Sequence, residues 1–315
     1  PAYTSNGGLL SDPQTTERTQ NTSFAVADTL SFADDRVFLT LGARRQKIEN
    51  ETFNYDSGLL GSTYSKSKTT PVAGLVFKPT QNVSVYANYI EGLVKGDTAG
   101  QITSSGGAIL NAGQAMAPYV SKQKEIGVKY DGGNFGGSVA YFDIGKPNYV
   151  LNNAIYQQDG KQRNRGLEFT AFGEPVKGLR LLAGLTLLQP ETVGTTTNAS
   201  VNGNDVIGVP RRMINLGAEW DVPGVSGLSL NARVINTGKQ YADAANTQVV
   251  PAWTRLDVGA RYLMDIGNNR TLTLRARIDN LSNRSYWESV GGYPGSNYLV
   301  LAKPRTFAVS GTVNF

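Results

Sequence analysis

The reactive groups available to this chain are carboxylates, guanidiniums, amines and phenols. Its 315 residues include no histidine and no cysteine, which removes the Ser-His triad, the Cys-His pair, histidine- or thiolate-bound zinc and a histidine ligand to haem. A disulfide framework is removed as well. The charged residues Glu125, Lys129, Glu168, Glu219, Arg233, Arg255, Asp257, Arg261, Arg275 and Arg277 keep even spacings within each segment, as in Arg255, Asp257 and Arg261, but the carboxylates are too scattered for an acid/base pair. The glycine pairs Gly106-Gly107 and Gly291-Gly292 lack phosphate-cradle spacing. No catalytic residue and no metal ligand is expected. What remains is recognition by contact. Tyr55, Tyr64, Tyr119, Tyr156, Trp253, Trp287, Tyr293 and Tyr298 lie in or beside long polar connectors, where they either bind a ligand or form an interfacial aromatic girdle. Arg211 and Arg212 are adjacent, so in an extended segment they point to opposite faces.

The elements that must hold these residues are strands. Apolar residues alternate with polar ones in Val37, Leu39, Leu41, Ala43; in Ile126, Val128, Tyr130; in Leu181, Ala183, Leu185, Leu187; in Leu228, Leu230, Ala232, Val234; and in Leu256, Val258, Ala260, Tyr262. The opposite parity carries ions and glycine, for example Ser229, Asn231, Arg233 and Arg255, Asp257, Gly259, Arg261. Strands of a soluble sandwich run about five or six residues. These segments exceed roughly ten, which is the pattern of a transmembrane β-barrel with an apolar exterior and a polar lumen. Mean hydropathy is −0.27, and no apolar run is long enough for a membrane-spanning helix.

Connectors alternate in length. The short ones are 33–36, 79–82, 131–134, 174–178, 221–227 and 265–269, rich in the Asp, Asn, Pro and Gly that tight turns require. The long ones are 49–67, 95–121, 146–160, 189–206, 241–250 and 284–298. Short periplasmic turns opposite long extracellular loops is the asymmetry of bacterial outer-membrane barrels. Net charge is +5, with Lys and Arg dispersed among Asp and Glu, so no nucleic-acid partner is expected.

Counting segments of about 9 to 11 crossing residues gives about thirteen strands. Single-chain bacterial barrels have even numbers, so the expectation is a portion of a barrel: 17–315 as strands, 1–16 as the tail of an extracellular loop, and further strands upstream. The opening "PAYTSNGGLL" has neither an initiator Met nor a leader, and the chain is expected to be a mature, trimmed or excised piece.

Several strings resemble the C-terminal half of TonB-dependent outer-membrane receptors, closest to the ferric-siderophore group. They are "SKTTPVAGLVFKPTQNVSVYANYIEGL", "SKQKEIGVKYDGGNFGGSVAYFDI", "RNRGLEFTAFGEPVKGLRLLAGLTLL", "GVPRRMINLGAEWDVPGVSGLSLNARV", "ARIDNLSNRSYWESV" and the terminal "KPRTFAVSGTVNF". The resemblance implies an all-β fold, an antiparallel transmembrane barrel of about 22 strands with a plug in its lumen, of which this chain supplies about the last thirteen without the plug. It implies a non-enzymatic receptor in the bacterial outer membrane, a monomer, importing a ferric siderophore with energy from the TonB complex through the missing N-terminal part. The alternatives are another cargo, cobalamin or an oligosaccharide, or a passive porin or adhesin. Iron would arrive already wrapped in oxygen donors, so no resident cofactor is expected. Tyr55, Tyr64, Tyr119, Tyr156, Arg211, Trp253, Trp287, Tyr293 and Tyr298 are then candidates for the siderophore's outer shell. Of Arg211 and Arg212, one would meet an anionic ligand or lipopolysaccharide phosphate, or act as an interfacial anchor among outer-membrane lipid. Phe315 resembles the terminal assembly signal read by the barrel-insertion machinery. In its strand Phe307, Val309, Val313 and Phe315 should face lipid, with Thr306, Ser310, Thr312 and Asn314 facing the lumen.

Overall fold

The structure, a computed structural model, describes residues 12–101, 106–290 and 299–315. Tyr293, Tyr298 and the Gly291-Gly292 pair lie outside the described residues, as do residues 1–11 of the expected loop tail.

Strands β1 (Glu17–Phe32), β2 (Val37–Phe53), β3 (Leu60–Phe77), β4 (Val83–Val94) and β5 (Tyr119–Asp131) pair antiparallel in sequence order. β6 (Phe135–Asn152), β7 (Ile155–Val176), β8 (Leu179–Val193), β9 (Arg212–Asp221) and β10 (Leu228–Thr237) continue the sheet. The short β11 (Gln240–Tyr241) and β12 (Val249–Val250) pair with each other before β13 (Trp253–Asp265) and β14 (Thr271–Asp279) resume it. β15 (Trp287–Val290) and β16 (Leu299–Leu301) also pair apart, and β17 (Thr306–Asn314) completes a sheet of thirteen strands. The sequence-based count and architecture therefore hold. Among the described residues, β1 and β17 are the sheet's two edges. Unpaired backbone in hydrocarbon costs several kcal/mol per group, so this sheet suits a bilayer only with both edges covered.

The six short connectors fall at the turns joining β1–β2, β3–β4, β5–β6, β7–β8, β9–β10 and β13–β14. Asn268 and Asn269 adopt φ of 53° and 58° in the last of these, a left-handed conformation that asparagine tolerates through its short polar side chain.

Register assigns the faces. Val37, Leu39 and Leu41 stand opposite Phe32, Leu30 and Asp28 on one side and Phe77, Leu75 and Ala73 on the other. The same outward parity runs through Ile126 and Tyr141, Leu167 and Leu187, Leu216 and Val234, and Val258 and Ile278 to Phe307. Phe307, Val309, Val313 and Phe315 are exposed on this face or just beyond it, where lipid rather than water is the solvent. The inward parity carries the polar groups. Glu219 Oε1 accepts from Arg180 Nη2 at 2.7 Å and from Arg261 Nη2 at 2.9 Å. Arg255 pairs with Asp257 at 2.9 Å, Arg277 with Asp279 at 3.2 Å, and Arg233 donates to Asn215 Oδ1 at 2.9 Å. The Tyr86 hydroxyl donates to Glu125 at 2.6 Å while Lys129 Nζ sits 4.6 Å from the Tyr86 ring centroid. Tyr86 lies so close over Gly127 that a Cβ there would meet its hydroxyl at 2.7 Å. Most of the lumen charges are thus satisfied on the wall itself, either by a partner across strands or by the residue two positions along the same strand.

Two long connectors are corrected. Residues 49–67 are mostly strand, because β2 runs on to Phe53 and β3 starts at Leu60. Residues 146–160 likewise form a continuous hairpin whose turn is just Asn153 and Ala154, at φ of 46° and 61°, the two positive values of a type I′ turn. Above the membrane both faces of a strand meet water, so apolar alternation disappears although the hydrogen-bond ladder continues.

Candidate functional site

The extracellular end of the lumen is organised by residues 95–118, the connector between β4 and β5. The connector folds inward onto the wall rather than projecting away from it. Thr98 bridges to Ala115, and Ala99, Ile109 and Met116 form a small buried core against Tyr149 and Tyr156. Gly96 makes this approach possible, since a Cβ there would lie 2.2 Å from the Ala117 carbonyl oxygen.

Three sets of polar contacts pin the connector. At its start, Lys95 Nζ donates to Asn50 Oδ1, and the 2 %-exposed Asn50 donates in turn to Glu17 and, at 2.9 Å, to Thr19 of β1. The Gly96 N–H donates to the Tyr64 hydroxyl at 3.0 Å, and the Lys95 ammonium lies 5.8 Å from that ring's centroid. Next, Asp97 Oδ2 accepts from the hydroxyls of Tyr119 and, at 2.7 Å, Tyr156. Farther on, Asn111 accepts from the Tyr156 N–H and donates to the Tyr156 carbonyl, both at 2.8 Å, a side chain acting as one more rung on β7. Tyr149 joins the two phenols, edge-on to Tyr119 at 5.0 Å and stacked on Tyr156 at 5.9 Å between centroids. The Lys146 ammonium caps the Tyr119 ring at 4.9 Å.

A second group lies over β7–β13. Asp159 on β7 is 7 % exposed and accepts from the Thr195 and Thr196 hydroxyls and the Thr196 and Thr197 amides, ordering residues 194–211. Asp205 in that connector accepts two bonds from Arg211 Nε at 3.1 and 2.9 Å and one from Nη2 at 2.6 Å. The bonded carboxylate raises the Arg211 guanidinium above its ordinary pKa. Asn246 crosses over from residues 242–248, accepting from the Asp205 N–H at 2.7 Å and donating to its carbonyl at 3.1 Å. Asp243 closes its own connector by accepting from the Gln248 amide at 2.7 Å and the Thr247 hydroxyl at 2.8 Å. Those bonds hold its carboxyl below the usual carboxylate range. Trp253 stacks on Tyr286 at 4.5 Å, and its indole N–H finds no acceptor among the described residues.

The structure therefore gathers Tyr64, Tyr119 and Tyr156 at one connector and places Arg211 at the next. Tyr64 and Tyr119 are buried, at 3 % and 7 % exposure, with their hydroxyls engaged; Trp253 is buried on the inward face. Tyr55 is half-buried in the β2–β3 turn, and Trp287 is exposed at 43 % at the start of β15. Arg211 and Arg212 do diverge, Arg211 to Asp205 and Arg212 to the outward row opposite Leu187. Asp97, Asn111, Asp159 and Asp205 were absent from the sequence-based candidates. "KGD" at 95–97, a Gly flanked by charges just past a strand, is the one local signal that marked a close approach. Phe315 is 94 % exposed with the Arg270 guanidinium 5.7 Å from its ring. Among the described residues no group of three carboxylates that could hold a metal is present.

Comparison with known proteins completes the site. The family model described as TonB dependent receptor-like, beta-barrel, matches residues 1–281. A ferrichrome receptor of Yersinia enterocolitica, FcuA, is 42 % identical over 98 % of this chain and 40 % of its own length. The solved structure of BauA, the ferric preacinetobactin receptor of Acinetobacter baumannii, superposes with a TM-score of 0.78 at 39 % identity over 95 % of this chain and 43 % of BauA. The siderophore receptor PiuA of the same organism gives 0.73 at 26 % identity, with 95 % and 44 % covered. The chain spans about two fifths of the length of the relatives it matches.

Proposed function

Given that this chain belongs to the TonB-dependent receptor β-barrel family, we propose that it forms part of the wall and loops of a receptor that imports a ferric siderophore across the outer membrane with TonB-derived energy. The observation that carries this reading is the pair of relatives near 40 % identity over almost the whole chain, FcuA and BauA, whose names give two different ferric siderophores. Strands and periplasmic turns track the class of cargo, while its identity resides in the connectors.

Burial divides the labour among the candidate residues. Tyr64, Tyr119, Tyr156 and Trp253 hold connectors in place from behind. Arg211, Tyr55 and Trp287 are the accessible aromatic and guanidinium groups, suited to a ligand whose iron is already enclosed and whose exterior offers oxygens and flat rings. The cargo needs no chemistry and no resident cofactor; the iron is substrate. Phe315, exposed just beyond β17 with the Arg270 guanidinium beside its ring, suits recognition by the insertion machinery during assembly. The test is uptake of radiolabelled iron by a strain deleted for the full-length receptor, supplied with purified ferric siderophores in turn. Loss of uptake for one of them, restored by the intact gene and diminished by Arg211→Ala, is the expected result. Uptake that no siderophore makes receptor-dependent would reject the reading.

A further inference from the structure

Asp28 places a carboxylate in the middle of a lipid-facing row. On the outward side of β1, Leu30 and Phe32 lie on its periplasmic side and Val26 and Phe24 on its extracellular side, all of them exposed. The step from Phe32 to Asp28 is about 13 Å along the strand at about 3.3 Å per residue, or about 10 Å along the membrane normal at a tilt of about 40°. That depth is near the centre of the apolar belt. Across β2 its neighbour is Leu41, which stands in turn opposite Ala73. The first outward cation above it on β2, Arg45, is opposite Phe24 and donates instead to Ser67 at 3.1 Å and Thr69 at 3.5 Å.

The hydrogen-bond ladder shows what this carboxylate does. The Phe53 N–H donates to the Thr16 carbonyl and the Lys78 N–H to the Arg36 carbonyl, so odd residues of β2 bond to β1 and even ones to β3. Thr40 is even, and its partner Thr29 therefore turns its own N–H and carbonyl away from β2, toward the free edge of the sheet. On that edge the Asp28 carboxylate accepts the Thr29 N–H at 2.8 Å, its one bond among the described residues. A bilayer requires a strand to cover this edge, and the carbonyl of that strand then takes the Thr29 N–H. The Asp28 carboxylate is left on the lipid face with no donor from this chain. Ionisable groups at such a depth persist by pairing.

We propose that Asp28 forms an intramembrane ion pair with a lysine or arginine on the outward row of the strand that covers the free edge of β1 in the intact receptor. This chain spans about two fifths of the length of its relatives, which leaves that strand to the rest of the receptor. The inference rests on the barrel reading of the chain and not on its cargo. A cation is the match because a hydroxyl would donate one bond and leave the charge uncompensated in hydrocarbon. The pair also pins register. A slip of one residue turns the cation to the lumen, and a slip of two moves it about 7 Å along the strand, so one alignment of the seam brings the charges together.

The full-length receptor carrying this chain would be refolded into phosphatidylcholine vesicles, and its folding equilibrium compared between the parent, Asp28→Leu and Asp28→Asn. Asp28→Leu strands the cation in the belt, so its folding constant should fall by a factor of about thirty to several hundred, the size of effect known for an unpaired lysine or arginine at the midplane. Asp28→Asn keeps an acceptor for the cation and should fall less. The sign is what decides. Without a partner, replacing a lone carboxylate by leucine relieves the lipid face, so a folding constant that is unchanged or raised in Asp28→Leu would overturn the pair. Leu216→Arg, on β9 and far from Asp28, is the control for the barrel reading; a loss there with none in Asp28→Leu sinks the pair alone, and no loss there sinks both. If the Asp28 variants do not refold, an experimental structure of the full-length parent decides. A lysine or arginine nitrogen within about 4 Å of the Asp28 carboxylate is expected, and a hydroxyl, an amide or an apolar side chain in that place would overturn the proposal. None of these readouts depends on which siderophore is carried.

Discussion

Replacing Asp97 tests whether the inward-folded connector is clasped by the two tyrosines. Its carboxylate accepts two phenol hydroxyls, and hydrogen bonds to a charged acceptor contribute about 1.5–3 kcal/mol each when protected. Asp97 itself is exposed, so solvent screening brings each nearer to about 1 kcal/mol. In Asp97→Ala both bonds go, and the Tyr119 hydroxyl, on a residue 7 % exposed, loses its partner at an added cost of up to about 1 kcal/mol. The expected total is about 2–3 kcal/mol, or a thirty- to hundredfold rise in local opening at about 1.4 kcal/mol per tenfold. Asp97→Asn keeps a carbonyl oxygen able to accept but loses charge assistance, which roughly halves each bond, so about 1 kcal/mol and about fivefold opening are expected. The reporters are the amides that this fold protects: Ala99 to the Gln114 carbonyl, Gly113 to Ala99 and Met116 to Asp97, all at 2.8–2.9 Å. Hydrogen exchange of peptides covering 95–118 in the full-length protein reads them directly. Exchange in Asp97→Ala within threefold of the parent, or an Asn variant as open as the Ala variant, would show that Asn111 and the apolar core hold the connector without the clasp.

The lipid-facing assignment predicts that Leu216→Arg, in the middle of the outward row of β9, destabilises the barrel by about 2–4 kcal/mol in refolding titrations, while Gly217→Ser on the lumen side changes it by less than about 0.5 kcal/mol; similar losses for both would refute the assignment of faces. Asp243, whose carboxyl is held low by the Gln248 amide and Thr247, stabilises its connector above the ordinary carboxylate pKa of about 3.9 and loses that contribution as pH falls through its lower folded value. Protection of the Gln248 amide, corrected for intrinsic exchange, should be flat from neutral pH to about 5 and fall below about 4; a loss near neutrality would contradict it. Phe315→Ser removes a ring whose contact with Arg270 is worth only about 0.5–1 kcal/mol at an exposed site, so folded stability should hardly change while the amount inserted into outer membranes drops. Unchanged insertion would reject the assembly role.

The membrane-crossing parts were legible because the bilayer imposes one rule on every strand. Outward residues from Leu228 to Val234 and from Leu256 to Tyr262 must be apolar, and residues between them need only tolerate a wet lumen, so period-two alternation survives in sequence. The six short turns were equally plain, since they demand Asp, Asn, Pro or Gly at fixed backbone angles. Legibility stops where hydrocarbon stops. Thr52 and Ser62 exchange a side-chain hydrogen bond at 2.7 Å on extended strands, yet "NETFNYDSGLLGSTYS" carries no alternation and reads as a loop. The site suffers from the same loss. Asp97 meets Tyr156 across 59 positions, and Asn50 meets Lys95 across 45; such pairings are set by how a connector of two dozen residues folds back, and no local spacing encodes them.

The height of the apolar band connects these observations. On β13 the outward row from Leu256 to Met264 spans nine residues, about 30 Å at about 3.3 Å each and about 23 Å along the membrane normal at a tilt of about 40°. That is the expected thickness of the lipid-facing belt. One outward step beyond its upper limit the residues become Arg45 on β2, Lys124 on β5, Arg165 on β7 and Arg212 on β9, a ring of cations where the cost of a charge on the lipid face has fallen from about 2–4 kcal/mol to about 0–1. Interfacial anchoring alone explains a cation at this level, and it accounts for Arg45 and Arg212. Between β4 and β8 the outward row adds Lys122 on β5 and Lys161 and Arg163 on β7, set against Glu91, Asp143 and Glu191, and a cleft floored by Ala73 and Ala87 opens beneath. Pairing of Arg163 with Asp143 and of Arg165 with Glu191 neutralises part of that added charge, which lets both signs stand on the lipid side at a level where the cost of a charge has already fallen.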